Sequence, residues 1–247
     1  MEKQAFFWGT STMPKAKSKA KPAGATSSST LVLGTRGLRA RHRHLLRDLL
    51  RLMPHGKVGS KLSVDDDGLE GVVPLCEDAN CDRALLLDAR DSRRLYMWVA
   101  GCPDGPSAMF RVLNVHTVAE LKFDVRSSAG ARSLLCFDHG FEECAERRVL
   151  KALITQTFGV PRGTRSARGG ALVERVRHTL SFSWLDGRVW LRVYRMGIGL
   201  NGENDLVEIG PRLVLQPVRV IASGFSGAIL STHEHGATNV AGDEDPE

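Results

Sequence analysis

The sequence states one pattern twice. An apolar strand signal, Leu31-Val32-Leu33, leads through Gly34 and Gly37 into a helical pattern that Pro54 stops. An apolar hairpin follows over residues 84–87 and 95–100, then Gly105-Pro106 and an alternating strand over 109–115. The order restarts with a strand at 134–137, a helix over 142–158 and a hairpin over 179–185 and 188–196 around Asp186-Gly187. Strand signal over 206–221, containing Gly210-Pro211, completes the second copy. Leu31 and Leu134 are 103 residues apart, and Gly105 and Gly210 are 105 apart. The Gly-Pro segments align as GPSAMFRVLNV and GPRLVLQPVRV. Such a duplication predicts two similar α/β halves packed together, each a small mixed sheet with a helix over one face.

The first helix carries the clearest charge pattern. At 100° per residue, Leu38, His42, Leu45, Leu49, Leu52 and Met53 share one side. The opposite side carries Arg39, Arg43, Arg47 and Arg51 at intervals of four, with Arg36 in the preceding turn and Lys57 and Lys61 in the following loop. A helix with one face for a core and one of arginines is a phosphate-binding candidate; the same pattern also describes a solvated helix face. The glycine-rich loop after the second helix adds Arg162, Arg165 and Arg168, spaced to wrap phosphates.

Other readings are narrower. A net charge of +6 favours an acidic partner. Five cysteines without a regular framework, and no secretory signal, point to free thiols in a reducing compartment. No apolar run approaches the ~18 residues that a membrane helix needs. Asp65-Asp66-Asp67 lacks the spaced ligands of a calcium loop, and Cys76 and Cys81 lack a second ligand pair for zinc, so no metal and no cofactor is expected. Gly197, Gly199 and Gly202 open no helix, which rejects a dinucleotide or phosphate-loop fingerprint. His42 reads as a core residue, and His233 and His235 flank Glu234 without rigid support. Residues 1–29, with Lys15, Lys17, Lys19 and Lys21, read as a disordered basic tail in which Phe6-Phe7-Trp8 is unexplained, and residues 226–247 as a flexible acidic tail. The folded part is then 30–225, in halves 30–132 and 133–225.

Several long motifs resemble one family. RGLRARHRHLLRDLLRLMPHGK (36–57), the stretch 80–122, LCFDHGF (135–141), LITQTFGVPRG (153–163), LSFSWLDGRVWLRVYRM (180–196) and LVEIGPRLVLQP (206–217) are similar, in order, to the Brix-domain family. The resemblance implies an α/β (α+β) fold of two similar halves, each related to the anticodon-binding domain of class II aminoacyl-tRNA synthetases. It implies a non-enzymatic assembly factor of the large ribosomal subunit that binds precursor rRNA in the nucleolus of the nucleus. Its partners would be other assembly factors, among them a nucleolar protein of the Epstein–Barr nuclear-antigen-binding family. Arg212 matches a characteristic family position and joins the RNA-contact candidates; pairing with Glu208 is its other reading. No catalytic residues are implied. Relatives often end in a longer lysine-rich extension, where this sequence ends Asp243-Glu244-Asp245-Pro246-Glu247. Tyr96, Trp98, Trp184 and Trp190 lie in strand patterns, where core packing outweighs base stacking. The alternative function is a protein-interaction scaffold in the ribosomal precursor with little RNA affinity of its own.

Overall fold

The two Gly-Pro segments each launch a ten-residue strand, and these two strands pair with each other. The computed structural model describes residues 28–59, 68–91, 93–121, 131–164, 173, 175–198 and 204–233. The first half runs β1 (Thr30–Gly34), α1 (Ala40–Leu52), β2 (Gly56–Val58), α2 (Val72–Asp78), β3 (Arg83–Asp88), β4 (Leu95–Gly101), β5 (Ser107–His116) and the short α3 (Val118–Leu121). The second half runs β6 (Arg132–Phe137), a 3-10 turn (His139–Glu142), α4 (Ala145–Phe158), β7 (Val176–Leu185), β8 (Arg188–Ile198), β9 (Asn204–Glu208), β10 (Arg212–Ile221) and β11 (Ile229–Thr232). All the strands join one mixed sheet in the order β2-β1-β3-β4-β5-β10-β8-β7-β6, with β9 on β8 and β11 on β10.

The order is the same read inward from either side. β1 is parallel to the edge strand β2, with α1 as crossover, and to β3, which the chain reaches through α2; β3, β4 and β5 follow antiparallel. β6 is parallel to β7, with α4 as crossover, and β7, β8 and β10 follow antiparallel. β5 and β10 close the arrangement antiparallel at the centre. Asp186 and Gly187 both have positive φ, 51° and 70°, as a tight two-residue hairpin turn needs.

Three boundaries differ from the sequence reading. The strand signal over 206–221 is two strands, because Ile209, Gly210 and Pro211 turn the chain between β9 and β10. The helix read from residue 142 begins at Ala145, after the 3-10 turn. The segment from 226 onward, read as a flexible tail, includes β11: Ile229–Thr232 pairs with β10, and the Ser231 hydroxyl and His233 ring reach the Glu146 carboxylate. The alternation there is too short to register as a strand; residues 219–221 of β10, beyond its pairing with β8, supply the ladder. Residues 1–27, with Phe6-Phe7-Trp8, and 234–247 lie outside the described residues.

One face of the whole sheet packs on α1 and α4. Leu45, Leu49 and Leu52 from α1 and Leu150, Leu153, Ile154 and Phe158 from α4 meet Leu85, Met97, Phe110, Leu180, Phe182, Leu191 and Leu215 in a single core. α4 lies against β3, β4 and β5 of the first half as well as its own β6. Polar bonds tie the same seam. Thr157 O accepts from the Thr30 hydroxyl (3.1 Å) and the His55 Nε2–H (2.9 Å), and the Ser133 hydroxyl donates to Leu52 O (3.1 Å). The opposite face is treated unequally. In the first half α2 and Phe225 cover it, enclosing Leu31, Leu33, Leu86 and the fully buried Trp98. In the second half no described helix lies on that face, and Leu134 is 47% exposed there.

His178 is the weak point of the seam. With the Ser133 proton on Leu52 O, His178 Nε2–H donates to Ser133 Oγ at 2.6 Å, and Nδ1 is buried without a partner. Burial pushes the imidazole down to about 4, because a proton on Nδ1 would be an unpaired buried charge. The unfolded chain takes that proton near the ordinary His value and the folded chain resists it, so stability falls as pH drops below about 6.5 and levels off below about 4. Burial lowers His55 as well, so it contributes in the same direction. The expected loss from His178 is up to ~1.4 kcal/mol per pH unit in that window. In thermal melts at pH 7 and pH 5, His178→Gln should lose less melting temperature than the parent chain; an equal loss would contradict the assignment.

Candidate nucleic-acid interface

Arginines converge where β1 turns into α1. The Thr35 N–H donates to Leu87 O (3.0 Å), and the Thr35 hydroxyl accepts the Ala89 N–H (2.9 Å). These bonds hold the 35–39 turn against the β3–β4 connection. Cross-strand pairing of Tyr96 with Arg111 brings β5 alongside. The result is a cleft of about 640 Å³ lined by Arg36, Arg39, Arg41, Arg90, Arg93, Arg94 and Arg111, with Asp91 as the only acidic wall residue among the described residues.

The seven divide by what holds them. Arg41 pairs with Glu120 (3.0 Å) and donates to Val115 O, so it also fastens α1 to the end of β5. Arg90 grips the buried Asp88 carboxylate through Nε (2.9 Å) and Nη2 (2.6 Å). Arg94 stands 4.0 Å from Asp91. Arg36, Arg93 and Arg111 have no carboxylate partner among the described residues. The N-terminus of α1 opens onto the same cleft. Arg39 is its N-cap residue, no side chain caps it, and its first turn has no acid. Unsatisfied N–H groups and the positive end of the helix dipole therefore add to the guanidinium field. Concentrated forked donors in a concavity suit a chain of phosphates.

The helix stripe extends this surface unevenly. Arg43 and Arg47 are exposed and fold back onto their own helix, Arg43 Nη1 to Leu38 O (2.7 Å) and Arg47 Nε to Arg43 O (3.3 Å). Arg51 pairs with Asp48 (3.1 Å), whose buried carboxylate accepts the Val118 N–H (3.0 Å). Burial raises that carboxyl, and the Val118 N–H and Arg51 oppose it. Lys57 lies in β2 rather than a loop, and its ammonium donates to Ala79 O (2.7 Å), at the end of α2. Arg212 is paired with Glu208, Nη2 to Oε2 at 2.8 Å, and Arg192 shares that carboxylate. Its hydrogen bond holds Glu208 below the ordinary carboxylate range. Arg162 is exposed beyond α4, and Lys61, Arg165 and Arg168 lie outside the described residues.

Helical spacing along α1 finds Arg39, Arg43, Arg47 and Arg51, and Arg36 is found in the turn before it. Arg41 lies on α1 but off that stripe, and Arg90, Arg93, Arg94 and Arg111 escape it because a hairpin connection and strand pairing bring them in. Arg90-Asp91-Ser92-Arg93 looks like an ordinary polar turn in the sequence. His42, expected in the core, is half-buried on the cleft wall. Trp98 is fully buried, and Trp184 packs edge-on against Phe141 with Arg147 over its ring at 4.5 Å.

A family model for the Brix domain matches residues 35–219. The chain belongs to the Brix-domain family. This Brix chain is 38% identical over 205 residues to a Xenopus laevis protein named ribosome biogenesis protein BRX1 homolog, covering 83% of the chain and 58% of that protein. It is 37% identical to the Homo sapiens protein of that name, covering 83% of the chain and 56% of the relative. To ribosome biogenesis protein BRX1 of Saccharomyces cerevisiae it is 35% identical, covering 80% and 69%. The chain thus spans a little over half the length of these vertebrate relatives. A crystal structure titled a probable ribosomal biogenesis protein from Aeropyrum pernix shares the fold, with a TM-score of 0.50 at 16% identity, covering 76% of this chain and 96% of that one.

The Brix cleft gives a direct binding prediction. Arg93→Ala combined with Arg111→Ala should weaken binding to rRNA fragments and flatten the slope of log affinity against log salt by about 0.7 per lost contact on single strands. Melting should change little, since Arg93 is exposed and Arg111 half-buried without a carboxylate partner among the described residues, and surface changes of this kind stay within about 0.5 kcal/mol each. Arg43→Ala with Arg47→Ala should act in the same direction. Leu45→Ala with Leu49→Ala, both sites fully buried, should instead cost several kcal/mol of stability. An unchanged salt slope in both arginine pairs would remove the cleft and stripe from the binding surface.

Proposed function

We propose that this chain acts in ribosome biogenesis as a non-enzymatic assembly factor that binds precursor rRNA of the large subunit. The carrying observation is the seven-arginine cleft at the uncapped end of α1. Family membership and the names of the relatives supply the ribosomal context. Work on precursor rRNA implies the nucleus and nucleolus, beside other assembly factors and a partner of the Epstein–Barr nuclear-antigen-binding family. The hydrogen-bonded Ser133–His178 pair does not suit catalysis: both residues are buried, and the hydroxyl is committed to Leu52 O. The second reading, a protein scaffold with little RNA affinity, draws on exposed apolar residues at the sheet margins, Leu206, Ile229 and Leu230.

The two readings part in cells. After depletion of the endogenous protein, large subunits should fall relative to small ones on a sucrose gradient. The parent chain should restore them, and the Arg93→Ala, Arg111→Ala chain at equal abundance should restore less than half. Full restoration by that variant, with no rRNA binding by the purified parent chain, would favour the scaffold.

A further inference from the structure

We propose that the uncovered sheet face of the second half is a platform on which a single-stranded RNA segment stacks its bases after leaving the arginine cleft. It rests on the RNA-binding reading above. The first observation is an asymmetry. Edge strand β2 aside, both halves have the same strand order, yet among the described residues this face is covered, by α2 and Phe225, only in the first half.

Register shows what the open face carries. Along β8, Val189, Leu191 and Val193 enter the core, so Trp190, Arg192 and Tyr194 face the other way. Trp190 pairs across with Ser183 and with Val214, Arg192 with Ser181, and Tyr194 with Thr179 and Glu208. Half-buried aromatics therefore alternate with an arginine over a floor of hydroxyls. Among the described residues, Arg188, Arg192 and Arg212 share this side with one carboxylate, Glu208, already held by two of them. The surplus is positive, so the occupant it fits is an anion.

The second observation is continuity. Arg111 lines the cleft, and its β5 neighbour Leu113 pairs with Val214, which pairs with Trp190. Arg111 also pairs across the strands with Tyr96 and Gln216. One sheet surface thus runs from the cleft through Tyr96 and Arg111 to Trp190 and Tyr194. Phosphates held by the cleft would deliver the following nucleotides onto aromatic rings. Every base has a face to stack, whereas a duplex keeps its faces internal. The platform therefore selects single strands, while the cleft takes phosphates of either form.

The test uses the full chain with a short fluorescein-labelled RNA, either single-stranded or annealed to its complement. Tyr194→Ala combined with Trp190→Leu should weaken single-strand binding between about five-fold and a hundred-fold for each lost stack and leave duplex binding unchanged. Tyr194→Phe keeps the ring and should retain the affinity. In the parent chain, single-stranded RNA should quench tryptophan emission, and Trp190→Phe should remove most of that quenching. The Arg93→Ala, Arg111→Ala chain should lose affinity for both RNAs. If the platform variants, with unchanged melting, bind single strands normally while the cleft variant does not, the platform is overturned and the RNA-binding reading stands. An equal loss for both RNAs, or equal loss from Tyr194→Ala and Tyr194→Phe, overturns stacking. If the parent chain binds neither RNA, the functional reading itself fails.

Discussion

β5 and β10 lie antiparallel at the centre of the sheet, and each continues outward into its own half. That pairing merges two small sheets into one and fixes which faces are shared. Because the crossovers from β1 to β2 and from β6 to β7 carry α1 and α4 to the same side, the helices meet over a common core. α4 then packs on strands of the opposite half, and Thr157 and Ser133 close the seam with buried hydrogen bonds. Neither half covers its apolar surface alone, which makes the duplicated unit a single folding body.

The same constraint locates the charge. With the core face closed by helices, function is left to the sheet ends and the other face. At one end, the β1–α1 turn and the β3–β4 connection are tied through Thr35, and their arginines have nowhere to spread. Concentrating like charges is unfavourable in the free protein. Asp88 and Glu120 offset part of it by holding Arg90 and Arg41, leaving Arg36, Arg93 and Arg111 for an external anion. On the other face, the absence of a described cover over β7 and β8 leaves Trp190 and Tyr194 beside arginines.

Much of this was legible in the sequence where the determinants are local. The repeat order, the Asp186-Gly187 turn and the apolar face of α1 follow from periodicity and turn chemistry. So does the arginine stripe. What was not legible depends on long-range pairing. Leu69 to Val73 gives no sign that α2 will cover only one half. β11 is too short to announce itself without the edge of β10. Arg111 looks like any outward strand residue until Tyr96 is set beside it. Arg212 could be read either as an RNA contact or as Glu208's partner, and only the geometry shows the ion pair.

The central claim is that RNA meets this protein at the cleft formed by the 36–41 turn and helix start, the 90–94 connection and Arg111. Ultraviolet crosslinking of the full chain to precursor rRNA, followed by mass-spectrometric identification of the crosslinked peptides, tests it most directly. The account predicts nucleotide adducts on peptides covering residues 36–47 and 90–111. Adducts confined to residues 1–27 and 234–247, with those peptides observed and unmodified, would contradict it.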